Sequence, residues 1–192
     1  MKNTFERYPE VILLDATHKT NNLQMPLYVM IAIDGNGESQ VVCAFLVYDD
    51  TESTLRSMVA IFKNRNLEWK NIEVFITDKD MTERGVIKEE IPQANLQICL
   101  FHVLRTFSRE VTMEKMGITT GEKVTIKTHI MDIAYARSES DYQEKFKRLC
   151  DVMTARVSEY YKKNWHPIRS EWVEGLKQQQ FNLCVRTNNR IE

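Results

Sequence analysis

The 192-residue chain contains no apolar run long enough to span a bilayer, and its opening residues lack the apolar segment of a secretory signal. Neither a membrane protein nor a secreted precursor is expected. Charge of one sign is missing as well, since 26 basic residues meet 27 acidic ones for a formal net charge of -1. Global attraction to nucleic acid or to a membrane surface is thereby excluded, and any such surface has to be a local patch. Cysteine is sparse. Cys43, Cys99, Cys150 and Cys184 are scattered, and two of them lie in or beside apolar, strand-like runs. That usage fits a reduced intracellular protein better than a disulfide scaffold. No glycine-rich loop follows the first strand-like run, which argues against a dinucleotide- or phosphate-cradling fold. Internal repeats and low-complexity segments are absent.

What is present is a core. Hydrophobic residues make up 43% of the chain, enough for one domain with an insertion or for two small ones. Glu10-Val11-Ile12-Leu13-Leu14-Asp15 is an apolar run without alternation that ends on a carboxylate. Such a run suits a strand covered on both faces, in the middle of a sheet. Ile72-Glu73-Val74-Phe75-Ile76-Thr77-Asp78 repeats the design. If the two strands are parallel neighbours, Asp15 and Asp78 share one edge, where open α/β sheets place their ligands. Two carboxylates there repel each other unless a cation or a proton intervenes.

Taken in order, Met25 to Ile33 is a strand, Asp34-Gly35-Asn36-Gly37 is a hairpin turn, and Gln40 to Tyr48 is the returning strand. The first third is therefore a three-stranded antiparallel meander. Thr51 or Asp50 caps a helix in which Leu55, Met58, Val59 and Phe62 recur at helical spacing. The strand from Ile72 follows, and a right-handed crossover makes it parallel to one already in the sheet. Asp80 and Glu83 have capping-box spacing, with Glu83 reaching back to the cap. A helix to about Glu90, a strand from Asn95 to Leu100 and a helix from Phe101 to Lys115 come next. Beyond Gly117 only helices are expected, over Val124–Arg137 and Ser138–Lys163, with a shorter one through Trp172 and Leu176.

This order of elements resembles the ribonuclease-H-like fold, a mixed five-stranded α/β sheet with flanking helices. The motifs carry the likeness further. Asp15-Ala16-Thr17-His18-Lys19-Thr20-Asn21 resembles the first motif of the Mutator-like transposase domain, and Thr77-Asp78-Lys79-Asp80 its second. Pro92-Gln93-Ala94 followed by Cys99-Leu100-Phe101-His102 resembles its Pro-x-Ala and Cys-x-x-His signature. Thr187-Asn188-Asn189-Arg190-Ile191-Glu192 resembles its third motif. The wording is most similar to animal zinc-finger SWIM-domain proteins, which carry a transposase-derived domain of this type. The resemblance implies a core over residues 1–115, an all-helical insertion over 116–180 and the start of a final core helix over 181–192. It also implies that the chain is a fragment, with the SWIM zinc finger downstream.

By the same resemblance Asp15, Asp78 and Glu192 form an Asp-Asp-Glu triad for Mg²⁺ or Mn²⁺, hard cations that take oxygen ligands. Cys99 and His102 have zinc-ligand spacing, which Cys184 or His166 could complete only through the fold, and a buried cysteine beside a hydrogen-bonded histidine at a helix start is the favoured explanation. His18 and Lys19 are candidates for a DNA phosphate, or simply solvated loop residues. Lys145, Lys147, Arg148, Lys162 and Lys163 make either a DNA-facing strip or the outer face of an amphipathic helix. Asp78, like Asp80, is also placed to cap the following helix. The expected function is a domesticated, nuclear DNA- or protein-binding module. The alternative is an active metal-dependent transposase or nuclease using the triad, and protein partners are not specified by the sequence.

Overall fold

The apolar run that opens β1 (Val11–Thr17) is covered on both sides, with Val11, Ile12, Leu13 and Leu14 each at most 1% exposed. In the computed structural model, which describes residues 2–18 and 22–177, this strand is the middle of a five-stranded sheet. Antiparallel to it runs β2 (Leu27–Ile33), and β3 (Ser39–Leu46) pairs antiparallel with β2. On its other side β4 (Val74–Thr77) is parallel, as is the outer β5 (Asn95–Ile98). The order β3-β2-β1-β4-β5 is the mixed sheet expected of a ribonuclease-H-like fold.

Local chemistry explains the turns and caps. Asp34 Oδ1 accepts from the backbone N–H of both Asn36 and Glu38 at 2.9 Å, closing the β2–β3 hairpin. Those bonds, the one from Glu38 first, hold the Asp34 carboxyl below the usual carboxylate range. Thr51 caps α2 (Glu52–Arg65), whose Leu55, Met58, Val59 and Phe62 are buried as their spacing predicts. Asp80 caps α3 (Met81–Glu90). The two helices are bound by Lys63 and Glu90, 2.9 Å apart. Arg56 joins Glu52, Glu89 and Glu90 in the same cluster. Beneath them Ile12, Leu14, Met30 and Phe75 form the core with Val59, Phe62, Val86 and Ile87.

Two elements escape a periodicity reading because they are short. The six-residue α1 (Lys2–Arg7) buries Phe5 completely against Phe62, ring centroids 5.5 Å apart. A 3-10 turn spans Leu67–Asn71.

By its internal contacts the chain divides after Cys99, and the residues from Leu100 form a second compact unit. That unit is helical: α4 (Leu100–Glu110), α5 (Met113–Met116), α6 (Thr120–Ala134), α7 (Glu139–Val152), α8 (Ala155–Asn164) and α9 (Arg169–Trp172). The single helix expected over 101–115 is broken, because Thr112 adopts an extended conformation and caps α5 by accepting from Lys115 N–H. The long helix expected over 138–163 is likewise two. Met153 and Thr154 are both extended and end α7 before α8 begins. Its core is aromatic. Phe107 lies 4.7 Å from Trp165 and 6.1 Å from Trp172, and the Trp172 indole donates to the Trp165 carbonyl at 3.1 Å. No described helix is long and apolar enough to cross a membrane.

Gly85 sits inside α3, and a Cβ built there meets nothing within 4 Å among the described residues. Gly85→Ala is therefore expected to stabilise the protein by about 0.5–1 kcal/mol, through a less flexible unfolded chain and better helix propensity. Urea denaturation should show a raised midpoint with an unchanged slope.

Candidate metal centre

The β1–β4 register pairs Val11 with Val74, Ile12 with Phe75 and Leu13 with Ile76, a constant offset of 63. Carried two residues further, the same offset brings Asp15 level with Asp78. Each offers a carboxylate oxygen, and the two oxygens lie within 4.8 Å of each other. Both side chains are half-buried. Thr17 Oγ1 approaches Asp15 Oδ2 at 3.4 Å.

Asp78 follows the fully buried Thr77, whose hydroxyl donates to the Asp78 carbonyl at 2.8 Å. Arg84, only 7% exposed, braces the same corner, its Nη1 donating to Thr77 Oγ1 and to the Gln97 carbonyl, both at 3.1 Å. Asp80 takes the capping role, accepting the Glu83 N–H at 2.9 Å, so Asp78 is not spent on it.

Glu83 corrects one sequence expectation. Its carboxyl does not reach back to complete a capping box. It is 3% exposed, and its Oε1 has no hydrogen-bond partner among the described residues. Burial first, then the negative charges of Asp78, Asp80 and Asp15, push this carboxyl well above the usual range, against a smaller opposing pull from Arg84. Val86 and Ile87, three and four residues on, are buried on the same helix face, and that spacing was the signal available in the sequence.

The raised value has a definite sign. The fold favours protonated Glu83, so its contribution to stability is complete below the ordinary value of 4.5 and is lost as pH rises through the folded one. With a chelator present, Glu83→Gln is expected to gain stability over wild type across that interval, by about 1.4 kcal/mol per unit of displacement. Denaturant midpoints of both proteins at pH 4.5 and pH 8 would show it; a difference independent of pH would refute it.

The remaining candidates are placed as follows. His18 Nδ1 is 3.8 Å from Asp50 Oδ2, with both side chains about half exposed. Cys99 is fully buried after β5, its N–H donating to the Thr77 carbonyl at 2.9 Å. His102 belongs to α4, where its ring meets Phe101 edge-on. His166 is committed to packing, 2.7 Å from the Tyr142 hydroxyl and stacked on Phe146. Lys145 and Arg148 pair with Asp141 and Glu144 one turn away. Lys19, Cys184 and Glu192 lie outside the described residues.

Comparison with known proteins decides the family. Residues 1–97, just over half of the chain, match the family profile described as zinc finger SWIM domain-containing protein 1/3, RNaseH-like domain. The chain belongs to this family. The matched segment is the sheet with α1, α2 and α3, and it contains Asp15, Asp78 and Glu83. The chain is also 24% identical over 153 residues to the transposase for insertion sequence element IS1201 of Lactobacillus helveticus, covering 73% of this chain and 41% of that protein. It is 30% identical over 100 residues to the PKS-NRPS hybrid synthetase cheA of Chaetomium globosum, covering 51% of this chain and 2% of the synthetase. The chain thus spans less than half of either relative. The likeness to a transposase supports a transposase-derived origin for this SWIM-family domain.

The donor set suits a hard divalent cation. Asp15 and Asp78 would hold such an ion through their carboxylate oxygens, the hard donors that Mg²⁺ prefers. Repulsion between Asp15 and Asp78, and the orphaned buried oxygen of Glu83, are features that a cation relieves.

Proposed function

We propose that this SWIM-family domain is a domesticated, transposase-derived module of a nuclear protein that binds DNA or protein, and that it retains a divalent-cation site on Asp15 and Asp78. The carboxylate pair on adjacent parallel strands carries the reading. Similarity to a transposase supports DNA as a partner, and a net charge of -1 argues for a local contact surface over a strongly basic one. Asp15 and Asp78 would hold Mg²⁺ or Mn²⁺, and such an ion stabilises developing charge on phosphate oxygens when bound. The buried Thr77, Arg84 and Gln97 corner fixes the Asp78 backbone, so the carboxylate pair is preorganised by the sheet.

A second reading has its own support. Residues 15 and 78 are both aspartate, which is the condition for an active metal-dependent nuclease or transposase using Asp15, Asp78 and Glu192. Calorimetric titration of Mn²⁺ into the full-length protein and its Asp15→Asn variant tests the cation site. Binding to wild type, weakened about a hundredfold or lost in the variant, is the expected result. Equal binding by both would refute the site. Metal-dependent nicking of DNA that disappears in Asp15→Asn would favour the second reading over the first.

A further inference from the structure

Among the described residues, Glu83 is a buried acidic side chain that feels the charges of Asp15 and Asp78 and that the family triad leaves without a role. It lies in the first turn of α3, 3% exposed, with Oε1 lacking a partner among the described residues. Val86 and Ile87, on the same helix face, pack into the core with Ile12, Leu14 and Phe75. The charged groups acting on it are Asp78, Asp80, Arg84 and Asp15. Three of the four are carboxylates. Nη1 of the one cation among them, Arg84, is engaged by Thr77 and the Gln97 carbonyl. A buried carboxyl oxygen without a partner is a place for an ordered water to donate.

We propose that Glu83 is an outer carboxylate of the cation centre, its Oε1 accepting from a water in the ion's shell. The proposal rests on the reading of Asp15 and Asp78 as cation ligands and extends it to a residue in the helix that follows β4. Mg²⁺ keeps several waters when protein-bound, so a carboxylate one water away still contributes. Outer-shell partners of this kind typically change metal affinity 10- to 100-fold when replaced. Within the residues matched by the family profile, the centre then has three carboxylates rather than two.

The test is a titration of Mn²⁺ alone into full-length wild type, Glu83→Gln and Asp15→Asn, with unfolding temperatures measured in chelator. Glu83→Gln is expected to weaken Mn²⁺ at least tenfold while unfolding no lower than wild type without metal. Glu83→Met, of similar length and without oxygens, is read in the same way if the glutamine variant does not fold. If a folded Glu83 variant binds Mn²⁺ with wild-type affinity while Asp15→Asn has lost it, Glu83 is overturned and the aspartate pair stands. If wild type binds no Mn²⁺, both are overturned.

Discussion

Gly175→Ala is expected to destabilise the helical unit by about 3–5 kcal/mol, among the largest effects of any single methyl group here. A Cβ at Gly175 would lie 2.2 Å from the Arg137 carbonyl carbon, 2.3 Å from its oxygen and 2.5 Å from the Ala136 oxygen. These are backbone atoms, and no rotamer change removes them. The segment is also clamped: Gly175 N–H donates to the Ala136 carbonyl at 2.8 Å, and Glu174 N–H to the Ala134 carbonyl at 3.0 Å. Ala134 and Ala136 are fully buried, as are Trp172 and Val173 just before the glycine. Relief therefore requires the clasp on the end of α6 to open, which exposes part of the aromatic core. Near-UV circular dichroism from the Trp165–Trp172 pair, 5.9 Å apart, should lose its thermal transition at the wild-type temperature and show it far lower. A variant melting within a degree or two of wild type would refute the close approach.

Asp15→Asn is expected to invert the order of stability between two buffers. In chelator the variant should be the more stable by about 1 kcal/mol, because it removes the repulsion of two half-buried carboxylates with oxygens within 4.8 Å. In Mn²⁺ at a hundred times the dissociation constant, wild type gains about 2.7 kcal/mol, roughly 5–11 °C, and a variant binding a hundredfold more weakly gains only about 0.4 kcal/mol. Stability curves that cross on adding metal distinguish a ligand from a structural aspartate. An Asp15 that merely tied a turn through backbone N–H groups would be worse as asparagine, or no different, in both buffers. A wild-type unfolding temperature unmoved by Mn²⁺ would sink the prediction.

Much of the sheet is legible in the chain because its signals are local or strictly periodic. The unalternated run Val11 to Leu14 announces two covered faces, and each of its residues is buried. Asp34 and Gly37 announce a hairpin, and Gly37 takes the left-handed conformation at φ 77°. Thr51 and Asp80 announce helix starts because their side chains replace missing backbone partners. What stays hidden is whatever two arrangements encode alike. Glu83 three residues after Asp80 spells a capping box and an inward carboxyl equally well, and only packing of Val86 and Ile87 decides between them. The break at Met153–Thr154 is invisible for a related reason. Leu149 and Val157 are both buried, so the apolar stripe runs across the break without proline or glycine to mark it. For the pair at the sheet edge, the sequence supplies both aspartates but no register. The 63-residue offset is a property of the crossover, which only the paired strands reveal.

That offset has a kinetic consequence. β1, β2 and β3 are joined by short connections and pair antiparallel, so their contacts close small loops. The β1–β4 ladder must close a loop containing the whole meander and α2, the most entropically demanding pairing in the sheet. Asp15 and Asp78 meet only when that ladder forms. On the cation site proposed above, competence to capture Mn²⁺ would trail the hairpins during refolding, and the ion would stabilise the completed sheet without accelerating the steps that precede it.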